Sequence, residues 1–102
     1  MAEFVTVAST ADLAPGQGKV VEVGGVPVAL FNVDGTFYAL DNTCPHRGGP
    51  LGEGLLDGET VVCPWHGWQF NVKTGEHVVS ARIKVKRYEV RVVGQEVQVR
   101  VG

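Results

Sequence analysis

Two cysteines and two histidines carry the chemistry legible in this sequence. They are spaced Cys44-x-His46, then sixteen intervening residues, then Cys63-x-x-His66. The pairs sit in two look-alike stretches, "NTCPHRGGPL" (42–51) and "CPWHGWQF" (63–70), each with proline directly after the cysteine and glycine close behind. Two thiolates and two imidazoles can hold one tetrahedral zinc or one [2Fe-2S] cluster. Zinc modules of the common Cys2His2 kind take a cysteine pair from one knuckle and a histidine pair from a helix. Here each loop is mixed, and no helix is at hand for the histidines. A mixed pair on each loop suits a two-iron site, in which one iron takes a cysteine from each loop and the other a histidine from each. A disulfide between the cysteines competes with this reading, but a histidine at ligand spacing beside each cysteine favours metal. A Cys–His nucleophilic pair is conceivable, yet ligation explains both pairs better.

Loops of this kind need a frame, and strand signals supply it. "RYEVRVV" and "EVQVRV" alternate polar and apolar residues with a period of two, and Gly94-Gln95 between them suits a hairpin turn with glycine first. Gly24-Gly25 after "KVVEV", Asp34-Gly35 before "TFYAL" and Asp57-Gly58 before "ETVVC" are hairpin punctuation of the same type. Only "STADLAPG" differs: Ser9 or Thr10 caps one short helical turn before Pro15 stops it. The expectation is one all-β, antiparallel domain over residues 1–102, with a loop-rich insertion from about 41 to 76.

Composition agrees. The 102 residues, 44% hydrophobic and 20% charged, suit one soluble domain with a modest core. The longest apolar run, "VPVALF", is far short of the roughly 20 residues a membrane helix needs. "MAEFVTVAST" lacks the basic and apolar regions of a secretory signal, so the expected location is cytoplasmic, with no membrane contact. The net charge of −2 is unevenly spread. Acids gather before residue 77 (Asp41, Glu53, Asp57, Glu59, Glu76) and bases after 81 (Arg82, Lys84, Lys86, Arg87, Arg91). The basic stretch reads as the solvated face of a strand, with Ile83 and Val85 on the other face. A nucleic-acid partner is not expected, because the chain as a whole is acidic.

The two ligand loops, at this spacing and in this Pro/Gly setting, resemble the Rieske iron–sulfur family closely over residues 42–70. The flanking hairpins fit that family's β-sandwich base in general pattern. The resemblance implies a Rieske-like antiparallel β-sandwich with a cluster-binding subdomain at about 41–76. It implies a [2Fe-2S] cluster whose inner iron is bound by Cys44 and Cys63 and whose outer iron, near the surface, is bound by His46 and His66. Backbone N–H groups of Gly48, Gly49 and Gly67 are candidates for hydrogen bonds to sulfur. Pro45, Pro64 and Pro50 either stiffen the loops or are ordinary turn chemistry. Neutral imidazoles in place of two thiolates raise the potential relative to plant-type ferredoxins. High-potential members of the family add a disulfide between the loops, a serine two residues after the last ligand histidine and a tyrosine two residues beyond. Those positions here are Trp68 and Phe70, and the only cysteines are the ligands. The expected potential therefore lies toward the low end of a range of roughly −150 to +300 mV. Trp65 either caps the cluster as a partner contact or packs on the first loop, while Trp68 and Phe70 pack beneath the second. Arg47 is expected to be exposed, and His77 to be an ordinary surface or strand-end histidine.

Electron transfer needs a cofactor near the surface and a brief docking partner, not a substrate pocket. Oxygenase α subunits also contain a Rieske module, but beside a catalytic domain for which this sequence has no room. The resemblance thus implies an electron carrier rather than an enzyme. It looks like a Rieske-type ferredoxin passing single electrons from a ferredoxin reductase to a terminal oxygenase of the aromatic-ring dioxygenase type. The alternative is the small subunit of an assimilatory NAD(P)H nitrite reductase, with that enzyme's large subunit as partner. Many such subunits lack some of the four ligands, which this chain retains. A zinc-stabilised module is a third reading. The charge split implies that the acidic cluster end meets a basic patch on the redox partner, an attraction that salt weakens.

Overall fold

The computed structural model describes residues 3–45, 48–65 and 67–101. His46, Arg47 and His66, singled out above, lie outside the described residues. The described chain forms nine strands: β1 (Val5–Ser9), β2 (Gly18–Val23), β3 (Val26–Val33), β4 (Thr36–Asp41), β5 (Leu55–Asp57), β6 (Thr60–Val62), β7 (Gln69–Asn71), β8 (Arg87–Val93) and β9 (Glu96–Arg100). They pair antiparallel in a six-stranded sheet ordered β1-β9-β8-β4-β3-β2 and a three-stranded sheet ordered β5-β6-β7. Helix among the described residues is limited to two short 3-10 turns, Thr10–Asp12 and Leu51–Glu53. Among the described residues no helix is long and apolar enough to cross a membrane.

The all-β, antiparallel architecture is the one the turn punctuation predicts. Gly24-Gly25, Asp34-Gly35 and Gly94-Gln95 each close a two-residue hairpin, flanked by the pairs Val23–Val26, Val33–Thr36 and Val93–Glu96. One turn is shifted: Asp57 pairs with Thr60, so the turn residues are Gly58-Glu59 rather than Asp57-Gly58. Ser9 caps the first 3-10 turn, its hydroxyl accepting from the Ala11 N–H while Asp12 accepts from the Ser9 N–H. Three features differ from the sequence reading. β1 and β7 had no turn signal of their own to delimit them. The basic stretch before Arg87 is not a strand. Residues 76–84 form a hairpin arm instead, with Glu76 bridged to Lys84 and the His77 N–H on the Ile83 carbonyl (2.8 Å). The expected alternation survives where the arm runs on toward β8, with Val85 buried and Lys84 and Lys86 exposed.

The "VPVALF" run lies in β3, whose last six residues are all buried. A strand covered on both faces reads as a continuous apolar run rather than an alternation. Val28 and Leu30 face one core with Phe37, Ala39, Tyr88, Val97 and Val99. Ala29, Phe31 and Val33 face a second core with Leu40, Leu51, Val61, Phe70 and Val72. That second core joins the large sheet to the region between residues 41 and 76, and both cysteines belong to it.

Candidate cluster-binding site

The first loop leaves β4 and is stitched at its base by polar residues just ahead of Cys44. Asp41 Oδ1 accepts from the Thr43 N–H (2.9 Å), and Asn42 Oδ1 accepts from the Gly52 N–H (2.7 Å). The Asn42 carbonyl takes the Leu51 N–H (2.8 Å), and Thr43 bridges Pro50. Side chains of Asp and Asn bonding to nearby backbone fix turns in this way. Asn42 therefore has a structural role that sequence reasoning did not assign. The second loop leaves β6 at Val62 and returns in β7 at Gln69.

The two loops close identically. The Cys44 N–H donates to the Gly49 carbonyl (2.9 Å), and the Cys63 N–H donates to the Trp68 carbonyl (2.7 Å). In each the acceptor is the fifth residue after the cysteine. In each the fourth residue is a glycine with positive φ, +77° at Gly48 and +73° at Gly67. That conformation is nearly free for glycine and costs any other residue with a Cβ. The sequence grammar shared by the loops is thus matched by a shared closing hydrogen bond and a shared glycine conformation.

Cys44 and Cys63 are 1% and 2% exposed, and both are free thiols. The structure brings them together: burial pushes the Cys63 thiol up from its ordinary range, a backbone hydrogen bond at Trp65 opposes this, and the Cys44 thiol beside it pushes up further. Two adjacent buried sulfurs hold thiolate charge only when a cation neutralises it, which is what ferric or ferrous iron supplies. The loops also interlock. A methyl group at Gly49 would lie 2.7 Å from Cys63 Sγ and 3.0 Å from Cβ and Cγ of Trp65. The glycine vacates space for the opposite loop's cysteine, and the base of Trp65 packs on the first loop. Trp65 as a whole is 50% exposed, so the packing expectation holds at its base while much of the side chain remains open to solvent.

Beneath the second loop Phe70 is fully buried and Trp68 half-buried, as expected. Their rings lie 6.5 Å apart, and the His77 ring completes a triangle with them at 5.0 and 5.4 Å. Such aromatic pairs contribute about 0.5–1.5 kcal/mol beyond area burial. Of the two expectations for His77, a surface or a strand-end histidine, the second is the nearer: it is bridged to Phe70 in β7 and half-buried against two aromatic rings.

The charge around the site is narrower than the count of acids implied. Asp57 precedes and Glu59 lies within the β5–β6 turn, at the far end of that hairpin from Cys63, and Glu59 pairs with Lys73 (3.0 Å). Glu53 lies exposed at the end of the 3-10 turn that follows the first loop.

A β frame carrying two interlocked loops with a floor of paired cysteine sulfurs defines an iron–sulfur protein of the two-loop type. The Rieske [2Fe-2S] domain pattern matches residues 3–89, and the chain belongs to that family. It is 37% identical over 102 residues to ferredoxin CarAc of Metapseudomonas resinovorans, covering 91% of this chain and 95% of that protein. Among solved structures, the complex of reduced oxygenase and oxidized ferredoxin in carbazole 1,9a-dioxygenase contains a chain similar to this one at a TM-score of 0.85 and 38% identity, covering 95% of this chain and 92% of that one. A Mycobacterium tuberculosis chain assigned as an NADH-dependent nitrite reductase small subunit superposes at a TM-score of 0.91 with 27% identity, covering 100% of this chain and 97% of that one.

Proposed function

We propose that this protein is the ferredoxin component of a multicomponent oxygenase system. It takes single electrons from a ferredoxin reductase and delivers them to a terminal oxygenase of the aromatic-ring dioxygenase type. In this reading it is a carrier, not an enzyme, and works in the cytoplasm. The observation that carries the reading is the pair of buried, adjacent cysteine sulfurs at the floor of two loops closed by the same hydrogen bond. Cys44 and Cys63 hold the inner iron of a [2Fe-2S] cluster, and His46 and His66 hold the outer iron, within a cluster-binding subdomain at about 41–76 of a single domain. When bound, the cluster supplies a one-electron acceptor and donor whose two neutral imidazole ligands raise its potential above that of all-cysteine clusters. The chain's own residues bury the sulfur side, fix the loop spacing through Gly49 and leave Trp65 exposed beside the ligands for a partner to cover. The full-length similarity to ferredoxin CarAc supports the partner class.

The likeness to the nitrite reductase small subunit supports a second reading, in which the partner is that enzyme's large subunit. The decisive experiment starts with absorption and EPR spectra of the purified protein before and after dithionite, with iron and sulfide assays. A red-brown protein that bleaches, with equal iron and sulfide and a Rieske-type reduced signal, is expected. A colourless protein holding zinc overturns the carrier reading. Reconstitution with a ferredoxin reductase and a terminal oxygenase then separates the two partners: failure to support turnover there, with complex formation by the nitrite reductase large subunit, selects the second.

A further inference from the structure

His77 lies eleven residues beyond the last ligand position and has no cysteine beside it, yet its imidazole makes two kinds of contact at once. Its ring stands nearly perpendicular to Trp68 (80°) and to Phe70 (89°), filling the angle between them. Its Nδ1 accepts the Val79 N–H at 3.1 Å. An acceptor nitrogen carries no proton, so the ring is held as the Nε2–H form. Backbone bonds fix the same segment: the Val78 N–H reaches the Gln69 carbonyl (3.1 Å), the Asn71 N–H reaches the Glu76 carbonyl (2.8 Å), and the His77 N–H reaches Ile83 (2.8 Å). The hairpin arm at 76–84 is thereby zipped along β7, and His77 is the side chain that joins the arm to the aromatic pair.

The path onward to the site is short. Trp68, against which His77 packs, provides the carbonyl that closes the second loop on the Cys63 N–H (2.7 Å). The residue whose ring meets His77 is thus also the one whose carbonyl holds the backbone at Cys63. No other common side chain meets both demands. Phenylalanine supplies a ring without an acceptor, and asparagine supplies an acceptor without a ring.

We propose that His77 is a positioning residue for the second ligand loop, acting through Trp68 to set the Cys63 closure and hence the geometry of the bound cluster. The proposal rests on the reading of 63–68 as a ligand loop. It is tested on the holoprotein with His77→Phe, His77→Asn and His77→Ala. Three quantities are measured: the rate of cluster loss to a chelator, the g-value spread of the reduced EPR signal, and hydrogen exchange of peptides covering 61–68 against peptides covering β1 and β9. The alanine and asparagine variants are expected to lose the cluster faster, by up to about tenfold, the lower end of what loss of an outer-shell partner costs a metal site. Their EPR spread should change and exchange should rise in 61–68 but not in β1 or β9. Phenylalanine should restore cluster retention and exchange in 61–68, because the ring acts on Trp68 and the Nδ1 acceptor only on the hairpin arm. Wild-type EPR and cluster loss in the asparagine variant would overturn the proposal, as would a uniform rise in exchange across all peptides. If the alanine variant fails to fold, the phenylalanine–asparagine pair still decides. If the wild-type protein holds no [2Fe-2S] cluster, the functional reading fails by itself, and exchange in 61–68 still tests the His77–Trp68–Cys63 linkage.

Discussion

The two ligand loops share a frame and differ in their surroundings. Both run from a cysteine N–H to the carbonyl five residues on, with a positive-φ glycine just before it. In the first, histidine is the second residue after the cysteine; in the second, it is the third. The same closure thus accompanies two different histidine offsets in the sequence. The settings diverge further. The first loop rests on backbone-bonding Asp41 and Asn42 and is followed by exposed Glu53. The second rests on the Trp68–Phe70–His77 triangle and carries exposed Trp65. One loop is fixed by polar stitching and the other by aromatic packing.

The comparison can be broken at several depths. The deepest is the shared floor: Cys44→Ala and Cys63→Ala should each leave a colourless protein without bound iron or sulfide. Full iron in either variant would remove that cysteine from the ligand set. Next come the glycines, where the loops should part. Gly49→Ala drives a methyl into Cys63 Sγ and Trp65, an overpacking cost of about 1–3 kcal/mol that should appear as lowered iron content. Gly67→Ala meets nothing within 4 Å, so only the left-handed backbone is strained, by about 1–2 kcal/mol. Its melting temperature should fall while iron is retained. Smaller again is Trp65→Ala, expected to slow electron delivery to the oxygenase with the reduction potential little moved, as read by stopped flow and redox titration. The smallest effect concerns steering. Glu53→Gln should flatten the salt dependence of that rate, whereas Glu59→Gln, distant and paired with Lys73, should leave it alone. Equal effects from the two would show that the charge acts as a diffuse field rather than from the rim of the first loop.

Much of this was written in residue order. Hairpins closed by Gly24-Gly25, Asp34-Gly35 and Gly94-Gln95 were legible because positive-φ turn residues are local requirements. The cysteine pair was legible because ligand spacing is local too, and the mixed pairs excluded the common zinc layout. What was not legible depends on distant contacts. The Gly58-Glu59 turn is set one residue later than its Asp-Gly signal because Asp57 is held in register with Thr60, and β6 is in turn held by β7. The role of Gly49 is to leave room for a side chain fourteen residues away, which no local pattern encodes. The aromatic contacts of His77 were not legible, because Trp68 and Phe70 become its neighbours only when 76–84 folds back along β7.

The strand buried on both faces has a consequence for how this protein can change. Alternate residues of β3 look into different rooms: Leu30 into the core of the large sheet, Phe31 into the one that contains the cysteines. β3 is a wall shared by a load-bearing chamber and a redox chamber, with its two surfaces written on odd and even positions of one short peptide. A substitution on the even side touches only the first core, whereas one on the odd side alters packing and the surroundings of Cys44 and Cys63 together. The two faces stay distinct only while the register of this strand holds, since a slip by one residue exchanges them.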